Sequence, residues 1–421
     1  LSAKTGPHGI LKQALKQNLW ALVVLLLMSA ACFAQPPPKP NIILILADDL
    51  GWTDLGCQGS KYYETPNIDR LAAQGLCFTA FHNCQNCAPT RAALMSGQYP
   101  PRTGVYTVGE LTRGESVHRK LLPPRNETNL PRDRRTIADQ LKAAGYATGL
   151  FGKWHLGERG EFHPAKRGYD EAIVSMGRHF DFVTRPPVDY PKGVYLADWL
   201  TDQAVDFVRR HQDKPFFLYL PHFGVHVPHQ AKRGLIDRFK NKTPTGGHRD
   251  PTYAAMISSI DESVGRVMAT LDELKLAERT VVIFMSDNGG VGGYAEMGGR
   301  GITDNAPLRG GKGMLYEGGT RVPFIVRWPG VVKPATLCDA PTIHVDIFPT
   351  FLEMANAPRP NQVLDGVSLV PLLRNPSAEL AREAIYTYFP GYLEGYGTAN
   401  WRTRPVGTIQ AGDWKLLEFF E

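Results

Sequence analysis

Ile42-Ile43-Leu44-Ile45-Leu46, closed by Ala47-Asp48-Asp49, is the stretch on which the fold turns. Five large apolar residues in a row, with no polar alternation, predict a strand buried on both faces, as in parallel sheets. Working outward, the same texture recurs between amphipathic stretches. Thr65 to Gly75 reads as a helix started by Pro66 and stopped by Gly75. Ile137 to Ala144 is a second helix, followed by the strand-like Tyr146 to Phe151. Trp199 to Arg210 precedes the strand Phe216 to Leu220, and Thr252 to Leu274 precedes the strand Val281 to Met285. This alternation predicts an α/β fold, a large mixed, mostly parallel sheet sandwiched by helices. From about Asn375 short aromatic segments, Ala384 to Phe389 and Trp414 to Phe420, alternate with Gly-rich turns, as in a small antiparallel sheet. The expected organisation is a leader over 1–34, a main domain over 35–374 and a C-terminal subdomain over 375–421. The stop at Glu421, directly after a strand-like run, reads as a missing C-terminus.

The leader carries Lys12 and Lys16, an apolar run from Leu19 to Ala31, and small residues up to Ala34 before Gln35-Pro36-Pro37-Pro38. That is the layout of a secretory signal peptide cleaved after Ala34, and it predicts a secreted or periplasmic protein. A lipoprotein anchor at Cys32 is the alternative, although Ser29-Ala30-Ala31-Cys32 lacks the expected Leu. The run is short for a spanning helix, and no later stretch is long enough to make a stable membrane span. The leader holds three lysines and no acid, so the remainder has 44 basic against 41 acidic residues, a net charge of +3. So small an excess, evenly spread, argues against a nucleic-acid partner and suits a small anionic substrate. Of six cysteines, Cys57, Cys77, Cys84, Cys87 and Cys338 lie beyond the leader. Five is odd, so at least one is free or chemically used.

Ligands of open parallel sheets bind beyond the carboxyl ends of the strands. There the chain places Asp48-Asp49 after the first strand and Ser286-Asp287-Asn288-Gly289 after the last. One such pair alone reads as a turn or helix cap. Two pairs at two buried strand ends repel unless a cation sits among them, and an all-oxygen set selects calcium or magnesium over zinc. Lys153 and His155 follow the strand that ends at Phe151, and His222, His226 and His229 follow the one that ends at Leu220. Pro221, Gly224 and Pro228 prevent the histidines from sharing one helical face, so a zinc site there fails. Cys84 and Cys87 form one CxxC, open to a redox or disulfide reading. Cys87-Ala88-Pro89-Thr90-Arg91 also places Cys87 at the start of a helix, where free N–H groups and Arg91 favour an anion. Arg309-Gly310-Gly311-Lys312-Gly313 fails as a nucleotide loop, because Gly313 replaces the required hydroxyl, yet Lys312 suits an anion.

Together these segments resemble the formylglycine-dependent sulfatases, arylsulfatase-like enzymes of the alkaline phosphatase superfamily. The resemblance rests on Asp48 to Gly51, Thr65 to Leu71, the modification signature Cys87 to Arg91, Gly152 to Gly157, Ser286 to Gly289 and Gly311 to Gly313. Thr90 stands where the signature usually has Ser, and Val225-His226-Val227-Pro228 departs from the usual Pro-His-x-Pro. The resemblance implies an alkaline-phosphatase-like fold and sulfate-ester hydrolysis by Cys87 after its conversion to formylglycine by a maturation enzyme. It implies one Ca2+ held by Asp48, Asp49, Asp287 and Asn288 together with residue 87. Lys153, Lys312 and Arg91 are expected to grip the sulfate. His226, with Lys312, is expected to protonate the leaving alcohol, and His155 to take the proton that releases sulfate. With Cys87 used in this way, the other four cysteines form an even set, and Cys84 is close enough in sequence to oxidise with it.

The implied substrate is a sulfated small molecule or glycan, a sulfated polysaccharide first among them. A phosphate or phosphonate monoester hydrolase of the same superfamily and a non-catalytic glycan-binding relative are the alternatives. Substrate choice is expected in the mixed loops Arg113 to Arg135, Gly177 to Tyr190 and Tyr294 to Asn305, with a contribution from the aromatic C-terminal part.

Overall fold

Every residue of the strand Asn41–Ala47 is buried, and it pairs in parallel on both sides, with Phe216–Pro221 and with Thr280–Ser286. Its side chains enter two cores in turn. Ile42, Leu44 and Leu46 pack with Phe217, Ile283 and Phe351 on one face; Ile43 and Ile45 pack with Leu218, Phe284 and Ile257 on the other. This double burial accounts for the unbroken apolar run. Each such side chain contributes about 1.5–3 kcal/mol by leaving water.

The structure is a computed structural model that describes residues 39–113, 115–295, 301–395 and 401–421. The leader and Cys32 lie outside them. Pro40 to Glu421 form one compact unit. Among the described residues its main sheet has nine strands. From one edge they run Thr336–Cys338, Leu76–Phe78, Phe324–Arg327, Thr280–Ser286, Asn41–Ala47, Phe216–Pro221, Ala147–Gly152, Glu171–Ser175 and Thr184–Arg185. Five neighbour pairs are parallel and three antiparallel, so the sheet is mixed but mostly parallel. The strand Phe324–Arg327 was not among those expected; it is four residues long and runs antiparallel beside Thr280–Ser286.

Helices cover both faces. Cys87–Ser96, Ile137–Ala143 and Ile347–Ala355 lie on one, and Pro66–Ala73, Leu196–Arg210 and Pro251–Glu273 on the other. Their starts are chemically specified. Thr136 and Asp139 form a capping box, and Asp250 caps the long helix by accepting from the Tyr253 N–H just after Pro251. At the C-terminus Ile385–Phe389, Val406–Ala411 and Trp414–Phe419 form an antiparallel three-stranded sheet. Among the described residues no helix is long and apolar enough to cross a membrane.

Candidate active site

The two expected strand ends meet because their strands are neighbours: Ala47 pairs with Ser286. Asp48, Asp49, Asp287 and Asn288 are therefore adjacent and buried. The Asp49 N–H donates to Asp287 Oδ1 at 3.2 Å, and Asn288 Nδ2 donates to Asp49 Oδ1 at 2.9 Å. Asp49 itself sits at φ 65°, a left-handed conformation costing roughly 1–3 kcal/mol that the surroundings impose. The carboxylates do not face one another unneutralised, as the bare sequence suggested. Lys153 Nζ donates to Asp48 Oδ2, and Lys312 Nζ lies 2.6 Å from Asp49. Burial alone raises the Asp49 carboxyl; Lys312, His226 and Lys153 outweigh it and hold it well below the usual range. Asp287 is raised to about 6, chiefly by burial and by Asp48, against the pull of Arg91.

Cys87 is the first residue of the helix Cys87–Ser96, with Asn86 before it in extended conformation. Burial pushes its thiol up to about 11, against the opposing charges of Lys153 and Lys312. Cys84 points elsewhere, its Sγ lying 3.4 Å from His344 Nε2, and none of the described cysteines is paired. Arg91, one turn on, has no exposed surface. Its Nε and Nη2 donate to Asp287 Oδ2 at 3.0 and 2.8 Å, and Nη1 to the Lys153 carbonyl. Arg91, expected to grip the sulfate, has its guanidinium engaged by Asp287 and the backbone and is not among the residues that line the cavity.

Lys153 owes its place to Gly152. At φ 136°, with the Pro221 carbonyl 2.0 Å from where a Cβ would stand, only glycine fits, and the Lys153 N–H donates to that same carbonyl. Lys153 and Lys312 are held above the ordinary lysine range because Asp48 and Asp49 outweigh their burial. His226 Nε2 is 3.7 Å from Asp49 Oδ2, while His222 is buried against Ser263 at 2.9 Å and His229 packs on Tyr253. Burial pulls His226 down to about 4; His155 is held well below 6.5 by burial and by Lys153, Arg91 and Lys312.

Asp48, Asp49, Cys87 and His226 offer ligand atoms all within 4.8 Å of one another. Asp48 Oδ1 and Asn288 Oδ1 are buried with no hydrogen-bond partner among the described residues. Two orphaned oxygens in a carboxylate cluster fit a hard cation. Above them opens a cavity of about 360 Å³ lined by Cys87, Lys153, His155, His226 and Lys312. Sequence reasoning missed part of its wall: Asn86, Val108, Met176, Phe223, Leu393 and Arg402. Arg113 and Gly177 come from two of the loops expected to face substrate. Leu393 and Arg402 come from the aromatic C-terminal part, which was expected to contribute, although no local pattern singled either out.

The family model for sulfatases matches residues 40–357, and that for the C-terminal part of N-sulphoglucosamine sulphohydrolase matches residues 311–421. A sulfatase of Formosa agariphila is 35% identical, with 89% of this chain and 79% of that protein aligned. N-acetylgalactosamine-6-sulfatase of Canis lupus familiaris is 34% identical, with 84% and 70% aligned. The crystal structure of Ps i-CgsB in complex with k-i-k-neocarrahexaose superposes with a TM-score of 0.75 at 32% identity, covering 91% of this chain and 84% of that one. Fold, strand-end cluster and these matches agree: the chain belongs to the sulfatases of the alkaline phosphatase superfamily, enzymes that hydrolyse sulfate esters.

Proposed function

We propose that this sulfatase acts on a sulfated carbohydrate, with Cys87 working as formylglycine and one calcium ion held by Asp48, Asp49, Asp287 and Asn288. The observation that carries the reading is the convergence of Cys87, Asp48, Asp49 and His226 within 4.8 Å, beside two unsatisfied buried oxygens. Charge supports it. Asp48, Asp49 and Asp287 balance Arg91, Lys153 and Lys312, so a divalent ion leaves the site net cationic for a sulfate ester. When bound, calcium supplies neutralisation of the sulfate and a lowered pKa for the oxygen beside it. A formylglycine hydrate supplies two hydroxyls on one carbon, so a bond made through one can be undone through the other. In the metal-free site burial pushes the unmodified Cys87 thiol up to about 11.

The chain's own groups do the rest. Lys153 and Lys312, which line the cavity, would hold the sulfate oxygens with their ammonium groups. Arg91 fixes Asp287 and the Lys153 backbone. A sulfate beside His226 and His155 raises their proton affinity above that of the ion-loaded site without substrate. His226, assisted by Lys312, gives a proton to the departing alcohol oxygen, and His155 takes the proton whose loss frees sulfate. Similarity to a hexosamine sulfatase and to a protein crystallised with neocarrahexaose favours a sugar substrate. The reading includes export by the leader and activation by a formylglycine-generating enzyme.

The test is sulfate release from sulfated mono- and oligosaccharides by protein co-produced with that enzyme. Release should vanish with chelator and return with calcium. Cleavage of a sugar phosphate with no release from any sulfated sugar contradicts the proposal.

A further inference from the structure

His226 sits on the turn between the strand Phe216–Pro221 and the helix Arg233–Phe239, with its side chain 24% exposed on the wall of the catalytic cavity. Its Nδ1 lies 2.8 Å from the Val227 carbonyl and its Nε2 3.7 Å from Asp49 Oδ2. A carbonyl only accepts, so Nδ1 carries a proton, and Nε2 is the nitrogen left to exchange one. The support beneath this imidazole comes from a loop distant in the chain. His179 is 1% exposed and does not line the cavity. Its Nε2 lies 2.8 Å from the His226 carbonyl and, for the same reason, donates to it. Its ring stacks on Phe223 at 4.9 Å and on Tyr195 at 5.8 Å. Phe223 is in turn a wall residue of the cavity, 5.1 Å from the His226 ring and 5.5 Å from Lys153 Nζ.

One buried imidazole thus holds both the peptide that carries His226 and the ring against which its side chain rests. Packing alone gives no reason for histidine here, since phenylalanine would stack on both rings without burying a polar atom. Burial pulls His179 down to about 4, so it stays neutral and adds no positive charge beside the proton donor. We infer that His179 is a positioning residue for proton delivery, fixing His226 through its carbonyl and through the Phe223 ring. The inference rests on the reading of His226 as the group that protonates the leaving alcohol, and adds to it the element that sets its aim.

The test uses the activated, calcium-loaded protein and phenyl sulfates graded from nitrophenyl to methoxyphenyl, whose leaving phenols differ in pKa and little in shape. His179→Phe and His179→Leu remove the N–H, so misfolding of one leaves the comparison standing. His179→Gln keeps an N–H, and His226→Ala is the reference. A misplaced proton donor matters most where the leaving group most needs a proton. In the two donor-free variants kcat on the methoxyphenyl ester should fall by roughly 10–10²-fold, the cost of a small misplacement. On the nitrophenyl ester kcat should change little, as should KM on both. His179→Gln should restore most of the loss. Added to His226→Ala, His179→Phe should steepen nothing further, because it acts only through His226. Equal loss on both esters in the His179 variants, with His226→Ala selective for the poorer leaving group, overturns the inference and leaves the reading of His226 intact. Equal loss on both esters in His226→Ala removes that reading and the inference with it.

Discussion

The carboxyl edge of the parallel sheet and the C-terminal antiparallel sheet are built on opposite terms. At the edge, Asp48, Asp49, Arg91, Lys153 and Asp287 are almost wholly buried, and each charge is held by a named partner. In the C-terminal sheet the strand Ile385–Phe389 alternates buried and exposed; Phe389 and Val406 pack inward with Leu315, while Trp414 and Leu416 stay 84% and 64% exposed. The first region fixes atoms where any displacement breaks an ion pair; the second offers side chains that can be exchanged without unfolding anything. The proposed chemistry lies in the former, and Leu393 and Arg402 of the C-terminal part reach the wall of its cavity.

That contrast can be broken in several places. The largest effect is expected from Cys87→Ala, which should lower kcat by roughly 10⁶-fold, as loss of a nucleophile does, with an unchanged circular dichroism spectrum. Retained turnover removes Cys87 from the mechanism. His226→Ala and His155→Ala should each cost about 10²–10⁴-fold. A leaving alcohol of low pKa should recover much of the loss for His226 and little for His155, which separates acid from base. Asp287→Asn should act on both fold and site. It leaves Arg91 buried with a weakened partner, so a loss of about 3–5 kcal/mol is expected by thermal melting, together with weaker calcium binding by titration.

Much of the edge was legible because it is local. An unbroken apolar run states double burial, and two polar strand ends on such runs come together because their strands are neighbours. Cys87 and Pro89 state a helix start. What escaped depends on contacts distant in the chain. Lys153 reaches Asp48 across 105 residues and Lys312 reaches Asp49 across 263, so the expected repulsion among carboxylates was already answered by the protein. Arg91 was read as a substrate contact because its spacing from Cys87 is right; only the neighbouring strand end shows Asp287 taking its guanidinium. Phe324–Arg327 is too short to announce itself, and Arg402 gains meaning only when the C-terminal sheet packs on the main body.

Acid should weaken the edge more than the C-terminal sheet, which contains no histidine. Burial lowers His179 and His226 to about 4 and His222 and His344 to about 3. Their unfolded values lie near 6.5, so unfolding takes up protons and stability falls as pH drops below about 6.5. Asp261 and Asp287, raised to about 6, bind protons when folded and offset part of this below that value. Melting of the metal-free protein between pH 7.5 and 4.5 checks the sign; a rise on acidification contradicts it. The smallest effect is expected from Trp414→Ser, within about 0.5 kcal/mol in stability and with kcat unchanged, whereas Phe389→Ala inside the same sheet should cost about 3–5 kcal/mol.

The most direct test of the central claim is peptide mass spectrometry across Cys87 in fully active protein. The account predicts that residue 87 is an aldehyde, lighter than cysteine, or its hydrate, nearly isobaric with cysteine but inert to thiol alkylation, in proportion to activity. Full sulfatase activity with residue 87 recovered as an unmodified thiol contradicts it.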